Sequence, residues 1–295
     1  IQEFGEKNHL FCDGQVGFRS HCQTRDNIIP LLECIDQAKT TKSPLSILYI
    51  DFAKAYDQVP WQLIEAVTSI SLGTGSSELI LNYLQGGNAK LKTSIGKTMS
   101  FPIRRGVKQG DVWSPSIFSL CIEPLLRKLA RILDPHAPRI GDVPISVLAY
   151  ADDVALLTTS QDVLPVVTQI LEDWSNITRM QINLGRNKTE IMHYNIISPL
   201  PISYQQKIIP ITNTYTYLGY EIGPSPNNHI DYRQTKLNAW LNKVEKRLAG
   251  NQVDYVQRVD IMKTYIRPKL TYCVELCTPT NSKRQKLEVL ERKFL

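Results

Sequence analysis

The chain has no apolar stretch of the ~18–20 residues that a membrane-spanning helix needs. It has few cysteines. The six, at positions 12, 22, 34, 121, 273 and 277, form no CxxC pair and are too sparse to frame a 295-residue chain with disulfides. His9, Cys12, His21 and Cys22 lie near one another without zinc-site spacing, so thiols in a reducing compartment are the plainer reading. There is no internal repeat and no low-complexity tract, which excludes an array or a solvated tail. The opening residues, Ile1 to Lys7, lack the basic start and apolar run of a signal peptide. No Met opens the chain either, so a piece of a longer polypeptide is expected. Acid is missing from one long segment: none falls between Glu78 and Asp111, where Lys90, Lys92, Lys97, Arg104, Arg105 and Lys108 lie.

What is present fits a globular protein of one elaborated domain or two, 42% hydrophobic and 21% charged. The net charge of +6 is uneven. Residues 230–295 hold 14 Lys and Arg against 7 Asp and Glu, a net of +7; residues 1–229 hold the remaining 20 and 21, a net of −1. Two basic surfaces about a neutral centre suit a polyanion lying across the molecule.

Local patterns outline the elements. Asp26 to Lys39 reads as a helix capped by Asp26, with Pro30 near its first turn. Leu45 to Ile50 is a β-rich run ending at Asp51. Helices are expected over Trp61 to Ile70 and Ser76 to Leu84, then a hairpin from Ala89 to Ile103 turned at Gly96. Pro115 opens a helix through Leu133 that Pro124 should bend. Strands Pro144 to Leu148 and Val154 to Thr158 flank Tyr150-Ala151-Asp152-Asp153. Asp162 to Arg179 has amphipathic helical spacing. Further strands are expected over Thr189 to Tyr194, Ile202 to Ile211 and Tyr215 to Ile222, and then a linker from Gly223 to Asn228. Beyond it, Leu237, Trp240, Leu241, Val244 and Leu248 form a helical stripe ended by Gly250. A helix from about Asp254 is bent at Pro268, and another starts near Ser282. The chain therefore reads as a mixed α/β body to about residue 225, followed by a basic helical domain.

Two acidic sites share one context. Asp51 ends an apolar strand, and Asp152 and Asp153 sit at the tip of an apolar hairpin. An Asp-Asp pair alone is an ordinary turn. Three carboxylates at one sheet edge repel one another, which raises at least one pKa. A divalent cation removes that conflict, and Mg²⁺ favours oxygen ligands shared with phosphates. Residue pattern alone reaches a metal-dependent site and no further.

The order of the motifs adds a family. Asp51-Phe52-Ala53-Lys54-Ala55-Tyr56-Asp57, then Arg105-Gly106-Val107-Lys108-Gln109-Gly110-Asp111, then Tyr150-Ala151-Asp152-Asp153 resembles the successive polymerase motifs of reverse transcriptases, specifically those of non-LTR (LINE-type) retrotransposons. Gln15-Val16-Gly17-Phe18 resembles the family's finger motif. Asn183 with Lys188-Thr189-Glu190 resembles the motif after the catalytic hairpin, Tyr217-Leu218-Gly219 the primer grip, and Lys263 to Cys277 the thumb helix.

The resemblance implies an α+β right-hand polymerase: an antiparallel-sheet palm flanked by helices, partial fingers and a helical thumb. Residues 1–44 would be partial fingers, 45–225 the palm with a fingers insertion at about 61–104, and 226–295 a truncated basic thumb. It implies RNA-directed DNA polymerase activity, extending a primer 3′-hydroxyl from dNTP on an RNA template. Asp51, Asp152, Asp153 and the Phe52 carbonyl would hold two Mg²⁺, or Mn²⁺ in their place. Tyr56 would exclude a 2′-hydroxyl by clash. Arg105, Gln109 and Gly110 would contact the nucleotide, Lys188 would serve the leaving pyrophosphate, and Tyr217, Leu218 and Gly219 would hold the primer end. The implied partners are RNA template, DNA primer and dNTP, with a parent polyprotein supplying an endonuclease and the remaining fingers. The implied location is intracellular and nuclear.

Two departures stand out. Val112-Trp113 replaces the family's usual Pro-Leu. The triphosphate-binding arginine expected before Gln15 is missing from the 14 residues that precede it. The second motivates an alternative: a decayed or domesticated copy that binds RNA or RNA–DNA duplex without catalysis.

Overall fold

A computed structural model describes residues 1–185, 187–225, 227–248 and 254–277, together with positions 281, 283, 285, 288 and 289. The chain divides into two compact units, Ile1–Thr212 and Asn213–Leu295.

The first unit is built on a four-stranded antiparallel sheet. Its strands are β1 (Leu45–Ile50), β2 (Val147–Tyr150), β3 (Asp153–Thr158) and β4 (Glu190–Tyr194), in the order β4-β1-β3-β2. All of β1 is buried, so its alternating side chains are covered on both faces. Leu48 and Ile50 join the main core, and Ile47 and Tyr49, out of phase with them, are equally inaccessible. This explains a strand that is apolar on both faces at every position but Ser46.

Helix α1 (Arg25–Thr41) packs on β2 and β4. It starts one residue before the expected cap, and the Asp26 carboxylate turns back to accept the Gln23 N–H at 2.7 Å. Helices α2 (Trp61–Leu72) and α3 (Thr74–Gln85) pack on each other. Helix α4 (Ser114–Leu133) packs on β2 and β3 and runs unbroken through Pro124. Helix α5 (Leu164–Thr178) packs on α4.

Several strand expectations need correction. The region around Pro144 splits: Val143–Pro144 pairs with Arg139–Ile140, and β2 starts only at Val147. Between Ile202 and Ile211 the strand shrinks to a short hairpin, Ser203–Tyr204 with Lys207–Ile208, and a single parallel bridge from Ile211 to Ile191. The run from Tyr215 is a hairpin, β5 (Tyr215–Tyr217) and β6 (Tyr220–Ile222), because Leu218 and Gly219 both take positive φ, 47° and 77°.

That hairpin belongs to the second unit, where β6 packs on α6 (Asn228–Leu248). The unit therefore starts ahead of the linker read from sequence. Leu237 and Leu241 of α6 form a core with Met262, Ile266 and Leu270. Asp254 caps α7 (Tyr255–Ile261) in a reciprocal box with Gln257. The bend expected at Pro268 takes the form of a π-helical stretch, Met262–Ile266, just before it. The wider turn relieves the clash between a proline ring and the preceding carbonyls. Gly250, most of the region from Ser282, and the side chains of Val244 and Leu248 lie outside the described residues.

Candidate active site

Strand pairing gathers the three acids. Ile50 pairs with Val154, which sets Asp51 beside Asp153 at the end of the β1–β3 ladder. Tyr150 pairs with Asp153, leaving Ala151 and Asp152 as a two-residue turn. Asp152 is half-buried, and Asp153 is exposed as a residue although packed atoms crowd its carboxyl. Burial, then the charge on Asp51, raises Asp152. Burial, then Asp152 and Asp51, pushes Asp153 up to about 6. Lys188 opposes both shifts. Its Nζ stands 3.1 Å from Asp51 Oδ1.

The segment bearing Lys188 is tied to the same acid through the backbone. Asn183 N–H donates to the Asp51 carbonyl at 2.8 Å, and Asp51 N–H donates to Thr189 Oγ1 at 3.1 Å. Ala53 N–H donates to the Gln181 carbonyl at 2.8 Å. These bonds flank the Phe52–Ile182 bridge and leave the Phe52 carbonyl out of the ladder.

The Ala151–Asp152 turn is clamped by the Gln15 segment. Gln15 is fully buried. Its Oε1 accepts from Gly17 N–H and from Ala151 N–H, both at 2.9 Å, and its Nε2 donates to the Ala151 carbonyl at 3.4 Å. Ala151 holds φ 56°, a conformation that costs an L-residue about 1 kcal/mol. The Gln15 amide matches both of its backbone groups. Asn27 Nδ2 and Val16 N–H donate to the Ala149 carbonyl, each at 2.9 Å. A Cβ at Gly17 would overlap the Ala151 nitrogen, so only glycine permits this approach. Sequence reading named Gln15 only as part of a finger motif. The local signal was a glutamine set between Gly14 and Gly17.

Tyr56 stacks on buried Phe118 with ring centroids 4.8 Å apart and planes 12° apart. Burial, then Asp152 and Tyr150, pushes its hydroxyl up to about 12, which sets it near the acidic turn. The Arg105 to Asp111 segment is bonded to the same stretch. Val107 N–H donates to the Tyr56 carbonyl at 2.8 Å and Gly106 N–H to the Val59 carbonyl at 2.7 Å. Gly106 holds φ 87° with no room for a side chain against Asp57. Trp61 Nε1 donates to the Gly106 carbonyl at 3.0 Å. A cleft of about 490 Å³ opens here, lined by Arg105, Lys108, Gln109 and Asp111 among others. Arg105 donates to the Gln58 carbonyl. Gln109 is exposed, and Gly110 has φ 96° with open space around its Cα. The unusual Trp113 packs edge-on against Tyr83, whose hydroxyl donates to Asp111 at 2.8 Å.

Leu218 and Gly219 form the turn of β5–β6 in the second unit, and Tyr217 closes it by pairing with Tyr220. Tyr217 is buried. Tyr272 Oη donates to the Leu218 carbonyl at 2.8 Å, and Arg233 donates to the Gly219 carbonyl at 3.2 Å.

Among the described residues, no group of three or more His, Cys, Asp or Glu side chains stands as a ready-made metal cage. The donors still suit a hard divalent cation in kind. They are oxygens, and their charges conflict where they meet. All six cysteines are free thiols. Among the described residues no helix is long and apolar enough to cross a membrane.

Residues 1–222 match the reverse transcriptase (RNA-dependent DNA polymerase) family. The retrovirus-related Pol polyprotein from the type-1 retrotransposable element R2 of Popillia japonica is 25% identical over 268 residues, covering 88% of this chain and 37% of that protein. The RNA-directed DNA polymerase from mobile element jockey of Drosophila melanogaster is 22% identical over 295 residues, covering 95% of this chain and 31% of that protein. The chain thus spans well under half the length of these relatives. The solved telomerase from Candida albicans, in complex with a fragment of telomeric RNA, aligns with a TM-score of 0.54 at 10% identity, covering 99% of this chain and 53% of that one. At such identity the likeness is one of fold: the architecture is a polymerase fold.

Proposed function

Because this chain belongs to the reverse transcriptase family, we propose that it is the polymerase region of a non-LTR, LINE-type retroelement polyprotein and copies RNA into DNA. The observation that carries the reading is the meeting of Asp51, Asp152 and Asp153 at one sheet edge, with Lys188 on Asp51 and Tyr56 near the turn.

In the reaction the primer 3′-hydroxyl oxygen attacks the α-phosphorus of a dNTP. A new P–O bond forms and the bond to pyrophosphate breaks. Asp51, Asp152, Asp153 and the Phe52 carbonyl would hold Mg²⁺, or Mn²⁺, as a pair of ions that lowers the charge on the reacting oxygens when bound. Gln15 holds the turn in its strained conformation, so Asp152 is oriented before substrate arrives. Tyr56, backed by Phe118, limits space at the sugar. Gln109 and Gly110 offer an exposed polar edge and open backbone to the base pair, and Arg105 and Lys108 offer positive charge in the adjoining cleft. Lys188 carries the positive charge and proton that the departing pyrophosphate needs. Tyr217, Leu218 and Gly219 hold the primer end, and the basic helices after residue 230 follow the duplex backbone, reading shape and phosphate rather than sequence. The rest of the polyprotein supplies the endonuclease and the remaining fingers, and the setting is nuclear. No observation favours the non-catalytic alternative.

Primer extension on an RNA template tests the reading. We expect divalent-dependent incorporation of dNTP that Asp51→Ala and Asp152→Ala abolish while RNA–DNA binding persists. Extension surviving in Asp152→Ala would overturn the assignment.

A further inference from the structure

The hairpin between Gly87 and Ile103 is bare: residues 90–102 are all exposed. Two short pairings hold it, Asn88–Ala89 with Phe101–Pro102 and Lys92–Thr93 with Gly96–Lys97. Gly96 turns the tip at φ 137°. Thr93 Oγ1 donates to the Gly96 carbonyl, and Leu91 N–H donates to Thr98 Oγ1, both at 2.9 Å. The tip is thus ordered yet apolar, with Ile95 97% and Met99 89% exposed and Leu91 beside them at 60%. Single exposed apolar residues are ordinary, but several on one projecting hairpin mark a contact surface. The charge here has one sign. Lys90, Lys92 and Lys97 stand on the hairpin, Arg104 and Arg105 follow it, and no acid lies between Glu78 and Asp111. A second copy of the chain would bring like charge against like at this point. A nucleic acid satisfies both features, since lysines neutralise phosphates and aliphatic side chains wedge between bases. The hairpin also rises from the cleft that holds Gln109. Ile103 N–H donates to the Gly87 carbonyl at 3.0 Å, and Ile103 lines that cleft.

We propose that this hairpin is an RNA-contacting wedge: its lysines hold the phosphate backbone, and Ile95 with Met99 inserts where paired RNA opens ahead of the cleft. The inference rests on the polymerase reading for the strand's direction of travel and not for the contact itself.

The test uses the 295-residue chain and an RNA stem with 2-aminopurine at its junction with a single-stranded arm, without dNTP or divalent ion. Binding of the unaltered chain should raise the junction fluorescence. The double variant Ile95→Ser, Met99→Ser should lose that rise while its affinity by anisotropy changes less than about threefold, because phosphate contacts dominate affinity. The triple variant Lys90→Gln, Lys92→Gln, Lys97→Gln should bind about tenfold or more weaker, with a salt slope lower by about 2 at ~0.7 per single-strand phosphate. All these positions are exposed, so folding is not at stake. Variants that bind and unstack like the unaltered chain overturn the proposal, as does an unaltered chain that leaves the junction dark. A double variant that only converts a dimer to a monomer also overturns it, by identifying a second copy as the occupant. Extension on an unpaired template, run alongside, reads the polymerase proposal separately. Its failure in every chain leaves the junction signal to be judged on its own.

Discussion

Gln15 and Ala151, 136 positions apart, are joined by two hydrogen bonds, a 2.9 Å bond from Ala151 N–H to Gln15 Oε1 and a 3.4 Å bond from Gln15 Nε2 to the Ala151 carbonyl. Gln15→Leu leaves buried N–H groups on Ala151 and Gly17 without this acceptor, so it should cost about 1–3 kcal/mol of stability. It should also lower the primer-extension kcat with little change in KM for dNTP. Gln15→Glu keeps the acceptor but loses the Nε2 donor and buries a carboxyl, so it should recover only part of either loss. Thermal unfolding with steady-state extension checks this; a Leu variant with unaltered kcat would reduce Gln15 to ordinary core packing.

Stability should depend jointly on pH and Mg²⁺. The Asp153 carboxyl sits at about 6 when folded, driven by burial and then by Asp152 and Asp51. Its unfolded value is about 3.9. The folded state therefore holds this proton more tightly, and the stability it contributes, whole below about pH 4, is lost as pH rises through about 6. At pH 7.5 the metal-free site carries its full repulsion, which a bound cation relieves. We expect millimolar Mg²⁺ to raise Tm clearly at pH 7.5 and far less at pH 5. Equal rises at both pH values would contradict a cation held at these carboxylates.

Tyr56→Ala should relax sugar selection. Removing the ring opens space where the 2′-hydroxyl would lie, and a steric gate of this kind discriminates by about 10–200-fold. The variant should also lose the Phe118 stack, worth about 1 kcal/mol beyond area. Tyr56→Phe should keep both. The ratio of kcat/KM for dNTP over rNTP is the measurement, and an unchanged ratio in the Ala variant would remove Tyr56 from the sugar site.

Lys188→Gln should separate binding from chemistry. Both side chains of its pair with Asp51 are partly exposed, so stability should shift by less than about 1 kcal/mol. Freed of a competing cation, Asp51 should bind Mg²⁺ several-fold tighter by calorimetry while extension slows. Unchanged Mg²⁺ affinity would mean that the lysine and the ion do not share the Asp51 carboxylate.

Much of the fold was legible because its signals are local. β1 runs from Leu45 to Ile50 as read, since a run apolar at every position but Ser46 suits a strand covered on both faces. The helix opened by Pro115 and the amphipathic helix after Asp162 follow from spacing within a few turns. Misreadings came where backbone conformation outweighs composition. Tyr215 to Ile222 is as β-rich as a single strand, but positive φ at Leu218 and Gly219 folds it into a hairpin. The π-helical stretch before Pro268 likewise has no compositional mark.

The sequence by itself determined which residues are candidates for the chemistry. Asp51, Asp152, Asp153, Tyr56 and Gln109 stand in an ordered set of motifs whose residue types the reaction needs. Only the tertiary structure decided how they are held. Strand register sets Asp51 beside Asp153, and a segment at the chain's start locks the Ala151 turn through an amide that fits both of its backbone groups. Local patterns encode which face of an element is apolar. They do not encode which distant polar group will satisfy a buried turn, because that partner is chosen only when the sheet closes and water is excluded from the turn.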